Sequence, residues 1–520
     1  MQRRYSILAT LFLLASCGEK DPAVEPAQPA VRITLEESAA FAVLFTVNAI
    51  DCSEVRYGVT PELPFSTPTG STGPVRLSLR LENLLPETDY TLWVQGIGPS
   101  GESGRLESLA FRTGEGPVSG LYSWERGREQ LPCPADMTLI PGHSSHRKPL
   151  EWSKDRWATH VSYVDENGSE HWLFDSFLLI EGQQNGVYGQ TPWTYVLTSS
   201  YARSADKALW QQMLDFWFDG GTFPWQESFW GDGVNSFGRW YSGRTEYLRF
   251  DSGQLDALDA CIGEVAARIG PPPGKRYVVM ALPEAIYFDN YIASVQNPES
   301  ASTVYWGDID GETMDFSRPD HRVEAGKWFM DKVRAAFDRK GYRNIELLGF
   351  YILPEELDLN WRARYKQYDI VIPALSAYAH SCNEAIFWIP YNLAPGYQKW
   401  KDFGIDLAYM QPNYYWEPED KPMSTTFREI NKYGMGLELE FEYTMVENVN
   451  GAASARTYRK RFEDYLDWAR TSGVYGTRSL ALYSGTDAWE QLVVSPLPDD
   501  RAMYHKIGHF LIESPLKNQE

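Results

Sequence analysis

From about residue 115 onward the chain alternates strand-like and helix-like stretches, and this rhythm limits its fold more than any other feature. Eight runs read as strands: Thr159–Val164, Trp172–Ile180, Tyr277–Leu282, Ile345–Leu353, Ala385–Tyr391, Leu407–Tyr415, Met435–Glu442 and Ser479–Tyr483. Between them, apolar residues recur at three–four spacing. Leu255, Leu258, Ile262, Val265 and Ile269 mark a helix over Gly253–Ile269, stopped by GPPPG. Two more are expected over Glu324–Lys340 and Ser454–Arg470. Eight strands with intervening helices imply the α/β class and a (β/α)8 barrel. One connection resists. Only DENGSEH joins the first two runs, too short for a crossover helix. Either that pair is a hairpin or the barrel is irregular at its first strands. The stretch 181–252, rich in Trp, Gly and Phe, reads as an insertion that helps to form a cleft.

In such a barrel the chemistry sits at the C-terminal strand ends. Six of the eight ends carry carboxylate, amide or aromatic-hydroxyl groups. Asp175 lies on the second strand. Tyr351 lies on the fourth, which ends in Pro354-Glu355-Glu356. Tyr391 and Asn392 follow the fifth. Gln411, Asn413, Tyr415 and Trp416 end the sixth, and Tyr483 and Asp487 end the eighth. The seventh, MGLELEFE, alternates strictly. Leu437, Leu439 and Phe441 share one face, and Glu438, Glu440 and Glu442 share the other. By itself such a run reads as a strand with a solvated acidic edge. Seventh of eight, its Glu face points instead toward a cleft.

A carboxyl at the end of strand four and another at strand seven resemble the pairing in the large clan of retaining glycoside hydrolases. That chemistry needs one protonated acid and one ionised nucleophile. Glu355 is the expected acid/base, with Glu356 as fallback. Glu440 is the expected nucleophile, Glu438 the next choice, and Glu442 a rim residue. The remaining residues named above are expected to bind substrate. Pro354 departs from the clan pattern, where Asn usually precedes the acid. The bland alternative for Glu355 and Glu356 is a pair of surface residues opening a helix. The motifs HVSYVDENGSEHWLFDSFLLI, ELLGFYILPEE, MQPNYYW and MGLELEFE together resemble the bacterial family described as domain of unknown function 4855, over roughly residues 130–515. That resemblance implies a glycosidase-type barrel without naming a substrate.

Residues 31–115 carry short alternating runs with no helical period and are expected to form a sandwich of about seven strands. Leu84–Val94 (LLPETDYTLWV) resembles the tyrosine-corner region of a fibronectin type III domain. Such a module is a spacer or docking unit, and the barrel domain then runs over 116–520.

Residues 1–17 read as a secretory signal, with Arg3 and Arg4 before a short apolar core. Leu14-Ala15-Ser16-Cys17 resembles a bacterial lipobox, which implies lipidation of Cys17. Residues 18–30 form a Pro-rich tether whose acidic start resembles the export signal of Bacteroidetes surface lipoproteins. The expected address is the outer membrane, surface-exposed or facing the periplasm, with neighbouring glycan-uptake proteins as partners. A net charge of −22 argues against nucleic acid. The 19 Trp and 31 Tyr suit sugar stacking, with Trp225, Trp230, Trp240, Trp306 and Trp416 as candidates for exposed rings. Cys52, Cys133, Cys261 and Cys382 have spacings too irregular to read as a disulfide framework. His143 and His146 are the closest His pair, and neither a metal nor a cofactor is expected. The reading is a cell-surface glycoside hydrolase acting on a plant or host polysaccharide or oligosaccharide. The alternative is a non-catalytic glycan-binding lipoprotein.

Overall fold

The structure is a computed structural model. It describes residues 28–39, 42–61, 63–70, 73–81, 84–114, 133–142, 150–180, 207–231, 239–283, 285, 305–316, 318–357, 359 and 367–518, with backbone only at 209, 224–231, 239–246 and 305. The signal segment and Cys17, His143 and His146, and the 115/116 boundary lie outside the described residues. The chain divides into two compact units. The smaller takes the residues up to Leu35, Phe45–Leu79 and Tyr90–Phe111; the larger takes Glu36–Leu44, Arg80–Asp89 and Arg112–Glu520.

Seven strands precede the barrel: β1 (Ala30–Ser38), β2 (Val43–Ile50), β3 (Glu54–Gly58), β4 (Phe65–Pro68), β5 (Val75–Leu81), β6 (Asp89–Ile97) and β7 (Ser103–Arg112). They form one sheet in the order β1-β2-β5 and another in the order β4-β3-β6-β7. Phe45 on β2 meets Phe111 on β7 edge to face at 5.1 Å, so the two sheets close over a shared core. Tyr90 stacks on Phe111.

The larger unit is a closed barrel of eight parallel strands. They are β8 (Asp136–Pro141), β11 (Ser176–Ile180), β14 (Arg276–Leu282), β17 (Ile345–Ile352), β18 (Ala385–Trp388), β19 (Leu407–Met410), β20 (Gly436–Glu440) and β21 (Leu480–Tyr483). β21 pairs back onto β8 and closes the ring. Three antiparallel hairpins stand outside it: β9 (Ser162–Val164) with β10 (Glu170–Trp172), β12 (Gly221–Gly231) with β13 (Arg239–Phe250), and β15 (Tyr305–Ile309) with β16 (Glu312–Asp315).

This corrects the assignment of the first strand. Thr159–Val164 is the end of the helix Lys154–Val161 followed by β9, and DENGSEH is the turn of the β9–β10 hairpin. Asp136–Pro141 is the first barrel strand. All six of its residues are buried, so neither face is solvated. Strands two to eight keep their places. The expected helices form over Gln254–Ile269, Pro319–Lys340 and Ala452–Thr471. The second stops at Gly341, whose φ of 57° caps the helix in a conformation Gly adopts freely.

At the closed, N-terminal end of the barrel lies a buried ion network. Lys517 Nζ meets Asp136 Oδ2 at 2.6 Å, and Asp136 Oδ1 accepts from the Asp175 N–H at 2.9 Å. Asp175 Oδ1 pairs with Arg276 at 2.9 Å. Burial pushes Asp136 up to about 6 against the pull of Lys517. We expect Lys517→Met to destabilise the protein by about 3 kcal/mol at pH 8, because it leaves a buried carboxylate unpaired. The loss should shrink at pH 5, where Asp136 takes up a proton. Urea unfolding at the two pH values checks this.

Candidate active site

The site follows from the parity of β20. Leu437 and Leu439 pack into the layer between strands and helices. Glu438 and Glu440, on the opposite parity, therefore face the barrel interior. The first inward position is Gly436, where a Cβ would stand 2.5 Å from the ring of Tyr409 and 2.8 Å from the Ser479 carbonyl. Only the two following inward positions have room for side chains, and both are Glu. Glu438 is 2% exposed and Glu440 is fully buried. The solvated-edge reading of this strand does not hold.

Glu440 is held by neutral donors. Tyr465 Oη donates to Glu440 Oε1 at 2.7 Å. The Gln411 side chain and the Asn413 backbone N–H lie near enough to favour the charged form as well. Glu440 Oε2 has no partner at full hydrogen-bond geometry among the described residues, so these two approaches are the looser ones. Asn413 adopts left-handed backbone (φ 57°), which Asn tolerates better than most residues. Burial outweighs the donors and pushes Glu440 up to about 8, with the charge of Glu355 acting in the same sense. Burial, then the charges of Glu440 and Glu355, hold Glu438 well above the usual carboxylate range.

Glu355 follows β17 with the inward parity of Tyr351. It keeps a solvent-accessible face, yet protein crowds its carboxyl, as on the wall of a concave mouth. That partial desolvation, then the charge of Glu356, raises its pKa. Tyr351 lies in the inner core and feels the charges of both Glu355 and Glu438. Glu355, Tyr351, Glu438 and Glu440 thus form one electrostatic group. Among the described residues, no described ion pair involves Glu355, Glu438 or Glu440.

The other predicted residues separate into those at the mouth and those elsewhere. Tyr391 Oη donates to Glu356 Oε2 at 2.8 Å, and Tyr391 bridges to Gln411 just after β19. Tyr483 sits opposite Glu440 in register and packs on the inner core. The Trp416 side chain lies near enough to Glu442 to favour its charged form, while burial, the larger cause, raises its pKa.

The side chains of five residues have other work. Asp175 is at the opposite end of the barrel in the ion network, because β11 starts only at Ser176. Asn392 is buried and ties its loop to Pro412 and Thr426. Asn413 supports that loop too, its side chain accepting from the Asn392 N–H at 2.9 Å. Tyr415 is fully buried, its hydroxyl bonded to Thr444 at 2.7 Å. Asp487 precedes the helix Ala488–Val494 and takes the Gln491 side chain at 3.2 Å. Trp306 is 2% exposed within an aromatic core that includes Trp210 and Phe316. The side chains of Trp225, Trp230 and Trp240 lie outside the described residues.

Tyr465 was missed as a site residue. On the helix Ala452–Thr471 it falls in the apolar stripe, and nothing in its spacing separates a hydroxyl aimed at the barrel from a core ring. Among the described residues no group of side chains could hold a metal ion, and no helix is long and apolar enough to cross a membrane. Cys52, Cys133, Cys261 and Cys382 are free thiols.

A carboxyl whose folded-state pKa is raised costs stability as pH rises from its unfolded value through its folded one. Glu440→Gln should therefore raise the melting temperature, more at pH 8 than at pH 5. Equal gains at both pH values would show that Glu440 is not proton-bearing in the folded state.

Among solved structures, the chain is similar to a Bacteroides ovatus GH5 xyloglucanase in complex with a XXXG heptasaccharide. Identity is 10% over 92% of this chain and 99% of that one, with a TM-score of 0.29. A Lactobacillus rhamnosus beta-glucuronidase matches at 9% identity over 88% and 60%, TM-score 0.28. A family 123 glycoside hydrolase from Clostridium perfringens matches at 9% over 79% and 72%, TM-score 0.23. Such values carry no weight for the reaction. No curated protein matches the chain. The model of the family described as Domain of unknown function (DUF4855) matches residues 136–223 and 240–509, more than half of the chain, and the chain belongs to that family.

Proposed function

We propose that this protein is a glycoside hydrolase that cleaves a polysaccharide or oligosaccharide with retention at the anomeric carbon. The observation that supports it most is the carboxyl group of strand four, Glu355, set within electrostatic reach of Glu440 on strand seven, with no described ion pair on either. A surface used only for binding has no need to hold two acids in this relation.

The roles follow from their surroundings. Glu440 is buried and approached by three donors, which suits a carboxylate that attacks the anomeric carbon. Glu355 is accessible and its pKa is raised, which suits a group that first gives a proton to the leaving oxygen. In the second half, Glu355 takes a proton from water as the water oxygen displaces the Glu440 carboxylate, releasing the sugar. Glu438, one inward position deeper in the barrel and raised by burial and by the charges of Glu440 and Glu355, stays protonated beneath the pair. In this reading Tyr391 with Glu356, and Trp416 with Glu442, meet sugar hydroxyls and ring faces. Lipidation at Cys17 and an outer-membrane address belong to the same proposal, since a surface enzyme meets polysaccharide before uptake.

Glu355→Gln and Glu440→Gln should each lower hydrolysis by at least about 10²–10⁴-fold while leaving glycan binding within a few-fold. A screen of aryl-glycosides and polysaccharides, using protein without residues 1–20, followed by calorimetric titration of the variants, measures both. Binding without turnover in the unsubstituted protein would favour the glycan-binding alternative.

A further inference from the structure

The MQPNYYW segment, read from sequence as a sugar-contacting loop, converges on Glu440. Gln411 approaches with its side chain and Asn413 with its N–H. Tyr415 acts through an intermediary: its backbone N–H donates to Tyr465 Oη at 2.6 Å, and Tyr465 Oη donates to Glu440 Oε1 at 2.7 Å. A phenol oxygen that accepts an N–H has its single proton left for the other neighbour. That neighbour is a carboxyl oxygen, so the hydroxyl cannot turn away without breaking two bonds in a dry site. The Tyr465 ring is fully buried, tilted against Tyr414 with centroids 5.9 Å apart and edge-on to Phe462 at 6.2 Å, which fixes the direction of the Oη.

We propose that Tyr465 is the positioning residue of Glu440, its hydroxyl proton directed onto the carboxylate by the Tyr415 N–H so that Glu440, and not Glu438, is the carboxyl of this strand that ionises. Glu438 and Glu440 share a strand, a face and near-complete burial. They differ in this clamp. The charged and titratable groups around Glu440 are Glu438 on its own strand, Glu355 after β17, Tyr483 opposite on β21 and Tyr465 on the outer helix. Gln411 and Asn413 add neutral donors from the loop after β19. Tyr465 itself feels Glu440 first among charges and Glu438 more weakly, and both hold its proton on. Donating to a charge favours the charged form, so the clamp opposes the burial that raises Glu440. The kinetic consequence rests on the glycosidase reading; the electrostatic one does not.

The test is a carboxyl-carbon NMR titration of protein labelled with 13C-glutamate, with Glu440 and Glu438 assigned by Glu→Gln substitution at each. Tyr465→Phe should raise the Glu440 midpoint by about one pH unit. With a cleavable glycoside, the acid limb of kcat/KM should move up by the same amount. kcat at pH 7 should fall about tenfold with KM unchanged. An unmoved midpoint overturns the proposal. If Tyr465→Phe does not fold, the unsubstituted protein decides: Glu440 must lose its proton before Glu438, and the reverse order overturns it. A raised midpoint in a protein that cleaves no glycoside upholds the clamp and removes the glycosidase reading instead.

Discussion

Along β20, a shift of one residue would exchange the two faces of the strand. Leu437 and Leu439 would enter the barrel, and Glu438 and Glu440 would be driven into the packing beneath the helices. The site therefore depends on the parallel pairing of β20 with β19 and β21, where Leu437 lies opposite Met410 and Glu440 opposite Tyr483. The register has its own lock. Gly436 fits under the Tyr409 ring with no room for a Cβ, and the Tyr409 hydroxyl is anchored on Ser479 at 2.9 Å. The acidic residues are placed above a filled floor, so their carboxyls have only the mouth to face.

The two ends of the barrel treat buried acids in opposite ways. At the N-terminal end, Asp136 and Asp175 are matched by Lys517 and Arg276. At the C-terminal end the described residues offer Glu440 neutral donors: a phenol, an amide and a backbone N–H. Cations neutralise; neutral donors leave a carboxyl free to exchange its proton. Paired charges are thereby concentrated at one end, and carboxyls without a described ion pair at the other. The cost is that Glu438, Glu440 and Glu355 all hold protons above the ordinary carboxylate range.

Much of the barrel was legible because its signals are local. The helix Gln254–Ile269 has an apolar stripe and a proline stop, and β20 alternates cleanly. The first strand was not legible. Asp136–Pro141 is only six residues long and buried on both faces, so its brief alternation DMTL marks no solvated side, whereas the nearby Thr159–Val164 splits between a helix and a hairpin. Asp175 shared in that error, since it was placed on a strand that starts one residue later. Tyr415 and Asn392 had the right chemistry in the right loops. Their side chains turn to neighbouring loops because buried backbone and hydroxyl groups there need partners.

The sequence by itself determined the order of strands two to eight and the two carboxyl-bearing strand ends. These follow from periodicity and from counting along the chain, which need no knowledge of what lies across the barrel. Only the tertiary structure decided which carboxyl is clamped, by what, and which aromatic groups reach the mouth. Tyr465 lies 25 residues beyond Glu440, past two short helical segments and well inside the helix Ala452–Thr471. Its hydroxyl finds the carboxylate because closing the barrel brings an outer helix against an inward strand. Contacts between groups so separated are set by packing in three dimensions, where local pattern carries no information.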